Sequence, residues 1–134
     1  LYNKSINNKS EIATLASLIK DEAIFKNGNI VKVVTEKKLS KDNISKAKNF
    51  LREIIIDNLH NVYHHIGIYA YKTSILKKFV NLEQTKNEIL YKLEQLRAMD
   101  NKISIDVILT NSSPIGVDTY EDYMEIKKLM EYKK

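Results

Sequence analysis

The chain has 134 residues, a formal charge of +5, three glycines, one proline and no cysteine. That length supports one domain with a real core, and the lack of thiols removes disulfides, thiolate catalysis and cysteine metal sites together. No apolar run nears the roughly 20 residues that span a bilayer and no series resembles a signal peptide, so a soluble chain without a membrane partner is expected.

Nucleic acid is not expected as a partner either. Of the 22 basic residues only Arg52 and Arg97 are arginine, and the lysines are spread along the whole sequence. Nucleic-acid readers cluster their charge and favour Arg at base edges.

Residues 1–10 form a polar run rich in Asn and Lys that reads as the tail of an earlier element, and a chain opening on Leu1 is expected to be a piece of something larger. Ile12, Leu15, Ala16 and Ile19 have helical spacing with Ser10 as a cap, so periodicity predicts a helix over residues 11–20. Residues 21–25 are helix-compatible, Asn27-Gly28-Asn29 signals a turn, and the β-branched run at residues 30–34 predicts a strand. Residues 37–43 form a polar connection. Ile44, Ala47, Leu51, Ile54 and Ile55 suit a helix, while residues 50–56 would also serve as a buried strand; periodicity leaves both open. Residues 57–61 read as a loop.

Near the midpoint, residues 63–71 alternate with the period of a strand. Ile66, Ile68 and Ala70 fall on one face, and His65, Gly67, Tyr69 and Tyr71 on the other. An imidazole, a glycine leaving room for close approach and two phenols suit a ligand, and a half-buried strand whose tyrosines close over a core is the plainer alternative. Residues 73–79 predict a short helix, residues 87–99 a longer one with Leu90, Leu93 and Leu96 as its stripe, and residues 103–109 a strand. Asn111-Ser112-Ser113-Pro114 turns the chain. Thr119-Tyr-Glu-Asp approximates a capping box for a final helix, with Tyr123, Ile126, Leu129 and Met130 as the apolar stripe and lysines toward its end. Strands alternating with helices indicate α/β.

Among groups able to do chemistry, Asp118 sits between a strand-and-turn and a helix, where it could hold a Mg²⁺ or simply stabilise the helix N-terminus. Glu94 and Gln95 lie mid-helix and read locally as a solvated pair. His60 and His64 would chelate Zn²⁺ from one helix face, but Gly67 and the strand alternation oppose that helix and no third ligand is spaced to help.

In order along the chain, His65-Ile-Gly-Ile-Tyr-Ala-Tyr71, then Leu93-Glu-Gln-Leu-Arg97, then Gly116-Val-Asp-Thr119 with Glu121-Asp122 resemble the 3-deoxy-manno-octulosonate cytidylyltransferases, the CMP-Kdo synthetases. Ala13-Thr-Leu-Ala16 and Val31-Lys-Val-Val34 look like further segments of that family, so the likeness begins near Ile12. The resemblance implies a mixed sheet with flanking helices, the C-terminal half of a nucleotide-diphospho-sugar transferase-like fold, with strands at residues 13–16 and 47–52. It implies transfer of CMP from CTP to the sugar acid Kdo, releasing pyrophosphate with Mg²⁺ present, for lipopolysaccharide synthesis, in a homodimer. By resemblance, Asp118 matches a metal-binding aspartate, His65, Tyr69, Glu94 and Gln95 match positions lining the sugar-acid pocket, and Arg52 matches an arginine facing the sugar carboxylate. Arg52 and His65 could donate to that carboxylate, and Glu94 and Gln95 could hold hydroxyls.

The departures bear on activity. The family's N-terminal half, with its Leu-Pro-Gly-Lys loop for the triphosphate and its Gln-Gly-Asp metal segment, is absent from these 134 residues, so the chain is expected to be the sugar-acid and dimerisation half, without turnover by itself. Leu51, Ile54 and Ile55 replace the usual serine and proline around Arg52, Tyr91 stands where an acid is common, and Lys72 and Leu18 replace an arginine and a proline. The alternatives are a decayed relative kept for dimerisation or interaction, and a sialic-acid cytidylyltransferase.

Overall fold

A computed structural model of the chain describes residues 1–54, 60–111, 117 and 119–132. The elements run α1 (Tyr2–Asn7), β1 (Ile12–Ser17), α2 (Ala23–Lys26), β2 (Lys32–Thr35), β3 (Ser45–Leu51), β4 (Val62–Tyr71), α3 (Thr73–Phe79), α4 (Lys86–Tyr91), α5 (Gln95–Asp100), β5 (Ile105–Leu109) and α6 (Tyr120–Glu131). The α/β class and the mixed sheet with flanking helices are as expected. The sheet goes further and closes into a barrel, in the order β1, β4, β2, β3, β5 and back to β1. β1 and β5 run parallel, and the other neighbours are antiparallel.

The helix that periodicity predicts over residues 11–20 is a strand, as the family resemblance implies. β1 is bonded on both edges and covered on both faces, so all its residues except the half-buried Leu15 are buried. A strand buried on both faces has no period-two signature, and its apolar run then passes for a helix. The stretch left open from Ile44 onward also holds a strand, β3, which starts earlier than the 50–56 of the local pattern and lies close to the 47–52 that the resemblance implies. Its pattern was hidden by a bulge: Val34 pairs with Asn49 and Thr35 with Ala47, so Lys48 is an extra residue and the inward side changes from odd to even numbers.

A second irregularity lies at the centre of the chain. Thr14 pairs with Tyr69 and Leu15 with Ile66, which leaves Gly67 and Ile68 without partners across β1. Barrel closure requires strands to bend, and bulges supply the bend. Gly67 therefore marks the bulge, and no protein atom crowds it: a side chain added there would meet none within 4 Å. The two extra residues preserve parity, so Tyr63, His65, Tyr69 and Tyr71 keep to the inner side. There they join or flank a core that includes Ile12, Ala16, Val33, Phe50, Ile105 and Val107.

Between β4 and β5 the chain crosses over through α3, α4 and α5, and Phe79, Leu96 and Ala98 from these helices with Leu93 from the turn between α4 and α5 complete that core. The single helix expected over residues 87–99 is broken in two. Lys92 takes a left-handed conformation (φ 54°) as the C-cap of α4, and the turn returns buried Leu93 to the core while Leu90 stays 70% exposed. The break lets the buried Glu88 receive Arg97 from the next helix, with Nε at 2.8 Å from Oε2 and one terminal nitrogen at 2.5 Å from Oε1. Glu88 also closes a capping box with Thr85, and its pKa is held down to about 2, chiefly by Arg97. The Arg97 guanidinium in turn lies over the Phe79 ring, 4.9 Å from its centre.

A buried cation ties the loops at the other side of β2. Lys32 is fully buried, with its ammonium donating to the carbonyls of Asn27, Ile30 and Arg52. An ammonium has three donors, so the set is complete and burial is tolerated. At the C-terminal end α6 has the capping box expected, Thr119 with Asp122. Its apolar stripe, however, stays largely exposed: Tyr123, Leu129 and Met130 are 48%, 50% and 70% exposed. The turn expected at residues 111–114 lies mostly outside the described residues.

The helix joint depends on the Glu88–Arg97 pair. Glu88→Gln is expected to lower stability by about 3 kcal/mol, because it strands a mostly buried guanidinium, and urea denaturation monitored by circular dichroism would measure the loss as a lower midpoint.

Candidate functional site

The inner side of β4 carries a row of rings. Phe50 meets His65 edge-on at 5.0 Å between ring centres, His65 meets Tyr69 at 5.6 Å, Tyr69 meets Tyr71 at 5.9 Å, and Tyr71 meets Phe79 at 5.9 Å. The row leads from the barrel interior to the helices that cross over its end. His65 is only 9% exposed, and its Nε2 lies 3.0 Å from the hydroxyl of buried Thr14. Burial, and secondarily His64, lower its pKa to about 4, so the imidazole is neutral at physiological pH. Burial likewise raises the phenols of Tyr69 and Tyr71, and the Glu94 carboxylate pushes both in the same direction.

Glu94 lies at the N-cap of α5 and not mid-helix as expected. Its carboxylate is largely exposed and stands 3.6 Å from Arg97. Together with Gln84, Glu88, Ile89, Lys92, Leu93 and Arg97 it lines an open groove of about 480 Å³. Gln95, half-buried, opens α5 next to it but does not line the groove. Thus β4 brings His65 and Tyr69 into ring contact, and the crossover brings Glu94 close enough to act on the Tyr69 phenol.

Arg52 reaches the same joint from the opposite side. Its guanidinium donates to the carbonyls of Tyr91 (3.1 Å), Lys92 (3.0 Å) and Gly28 (3.1 Å). The last carbonyls of a helix lack internal partners and carry its negative dipole end, so Arg52 acts as a side-chain cap for α4. Three of the five N–H donors that a guanidinium carries are thereby engaged by the framework.

Asp118 lies outside the described residues. Among the described residues no group of three His, Asp or Glu is placed to hold a metal ion, so the metal site expected at Asp118 rests on the sequence, and no step is derived through it. The histidine chelate fails on its premise, since His64 and His65 belong to a strand. Among the described residues no helix is long and apolar enough to cross a membrane.

The residue that sequence reasoning missed is Thr14. A helical reading of residues 11–20 gives its hydroxyl no reason to meet His65, 51 positions away.

With this geometry the comparisons with known proteins agree. The cytidylyltransferase family profile matches residues 2–105, and the chain belongs to that family. It is 39% identical over 124 residues to a 3-deoxy-manno-octulosonate cytidylyltransferase of Bartonella tribocorum, covering 92% of this chain and 50% of the relative. It is 41% identical over 128 residues to the enzyme of that name from Thermodesulfovibrio yellowstonii, again covering 92% of this chain and 50% of the relative. Among solved structures it superposes with a TM-score of 0.84 and 27% identity on a CMP:2-keto-3-deoxy-manno-octonic acid synthetase complexed with CTP, covering all of this chain and 55% of that one. The chain spans about half the length of the curated relatives it matches.

The depressed His65 pKa couples stability to pH. Between the unfolded value near 6.5 and the folded value of about 4, the unfolded chain binds the extra proton, so stability is complete above pH 6.5 and falls as pH drops toward 4. His64, lowered by burial and Lys32, contributes with the same sign. Denaturant unfolding at pH 7.0 and 4.5 is expected to show a loss of about 2–3 kcal/mol in the wild type and a smaller loss in His65→Gln.

Proposed function

We propose that this chain is the sugar-acid-binding part of a CMP-Kdo synthetase, a nucleotidyltransferase in which the anomeric hydroxyl of Kdo attacks the α-phosphorus of CTP and releases pyrophosphate. The observation that carries the reading is the convergence of His65, Tyr69 and Glu94 across β4 and α5, in a chain whose named relatives match over more than 90% of its length. Kdo has one carboxylate and several hydroxyls. Glu94, exposed at the groove, suits hydroxyl donors, and Lys92 and Arg97 beside it supply positive charge for the carboxylate. Gln95 adds an amide next to Glu94 that can both donate and accept.

Arg52 enters this scheme through the joint it caps, by which it positions Glu94, and its two remaining donors are what it can offer a ligand. Asp118 is the carboxylate we assign to Mg²⁺; an ion held there would supply charge neutralisation at the phosphate. A role in lipopolysaccharide synthesis, a cytoplasmic location and a homodimer belong to the same proposal.

An interaction module descended from such an enzyme is the second reading. It is favoured by the use of Arg52 on helix carbonyls and by the exposed stripe of α6.

Calorimetric titration with Kdo separates the two. On the first reading the chain binds Kdo, Glu94→Ala weakens binding by about tenfold or more, as expected for lost charge-assisted hydrogen bonds, and Tyr69→Phe weakens it less. A folded chain that gives no heat with Kdo selects the second.

A further inference from the structure

The contacts of Thr14 determine where a proton sits. Its side chain is completely buried, and its Oγ1 lies 3.0 Å from the Ile68 carbonyl, 3.2 Å from the Ile66 carbonyl and 3.0 Å from His65 Nε2. A hydroxyl has one hydrogen and two lone pairs, and a carbonyl oxygen only accepts. If the hydrogen pointed at His65, lone pairs of Oγ1 would face two carbonyl oxygens at contact distance with no solvent between them, which is repulsive. Pointed at the carbonyls, the hydrogen is shared by both, and both border the bulge where β4 lacks partners on β1. Only lone pairs then remain for His65 and for the Tyr69 hydroxyl, which also bonds to the Thr14 side chain and can donate to it, so Nε2 must carry the hydrogen.

The other edge of the ring follows from this. A neutral imidazole has one N–H, so with Nε2 protonated Nδ1 is bare. The described residues give Nδ1 no hydrogen-bond partner, and among them no fully buried side-chain nitrogen or oxygen is left without one. Nδ1 is therefore the edge that solvent or a ligand can reach.

We propose that Thr14 is a positioning residue that locks His65 as the Nε2–H tautomer, so that the imidazole presents Nδ1 as an acceptor to a ligand hydroxyl and cannot donate to the ligand's carboxylate. The tautomer stands on the contacts alone; the identity of the ligand rests on the reading given under Proposed function. This replaces the donor role toward a carboxylate that the sequence suggests for His65 by the opposite polarity.

Nitrogen-15 NMR of the histidine side chains tests the first half without any ligand. At pH 7 the wild type and Thr14→Ser, which keeps the hydroxyl, are expected to show His65 with a protonated Nε2 and a bare Nδ1, whereas Thr14→Val, of similar shape, is expected to show a mixture of tautomers. A protonated Nδ1 in the wild type overturns the proposal, as does an unchanged single tautomer in Thr14→Val. If the valine variant does not fold, the wild-type and serine spectra still decide.

The second half is read by titrating Kdo and its methyl ester into wild type and His65→Phe. An acceptor serving a hydroxyl predicts the same loss, about tenfold, for both ligands, and a loss seen with Kdo but not with the ester overturns it. Failure of the wild type to bind either ligand, with the tautomer as stated, sinks the Kdo reading and with it the ligand half of this proposal, leaving the Thr14 lock standing.

Discussion

Closure of the sheet around β1 is the constraint on which the other features depend. This strand is hydrogen-bonded on both edges, antiparallel to β4 and parallel to β5, and it has almost no exposed surface. A small barrel closed in this way has no free edge to attract another strand, but it must bend its strands sharply. The bulge opposite Thr14 and Leu15 provides that bend. It also leaves the Ile66 and Ile68 carbonyls for the Thr14 hydroxyl, so the geometry that closes the barrel is the geometry that orients His65.

The inner side is filled by a row of rings, with His65, Tyr69 and Tyr71 between Phe50 in the barrel and Phe79 on the crossover. Aromatic rings pack as well as aliphatic side chains and keep a polar atom at one edge. The same side chains can therefore be core at one end of the row and candidate ligand contacts at the other. The helix joint adds charge at the open end: Arg97 is held by Glu88 and by the Phe79 face, and the largely exposed Glu94 pairs with it at 3.6 Å. Arg52 fixes the joint from behind by accepting the role of a helix cap. A site arranged in this way is rigid on the barrel side and adjustable at the groove, where Glu94 and Lys92 are exposed.

α6 is the longest of the described helices. Its capping box is well formed, yet none of its described residues is buried. An isolated helix of this length is marginal in water unless one face is packed. The apolar stripe therefore represents unused burial, in a chain about half as long as the relatives it matches.

Local sequence determined those parts whose signals act over a few residues. The helix Thr73–Phe79, the Thr119 capping box and the strands around Val33 and Val107 were legible because periodicity, caps and β-branching are local effects. The ordered motifs at residues 65–71 and 93–97 made the family legible as well. What the tertiary structure alone decided was everything set by distant partners. β1 is a strand because β4 and β5 flank it, the helix expected over residues 87–99 breaks because Glu88 meets Arg97 and Leu93 returns to the core, and Arg52 faces carbonyls that lie 39 and 40 residues away. Thr14 had no visible role until pairing brought it against His65, 51 positions later. Hydrogen bonds of buried groups are chosen by whichever partners burial leaves within reach, and that choice is made by the closed sheet and not by the neighbours in sequence.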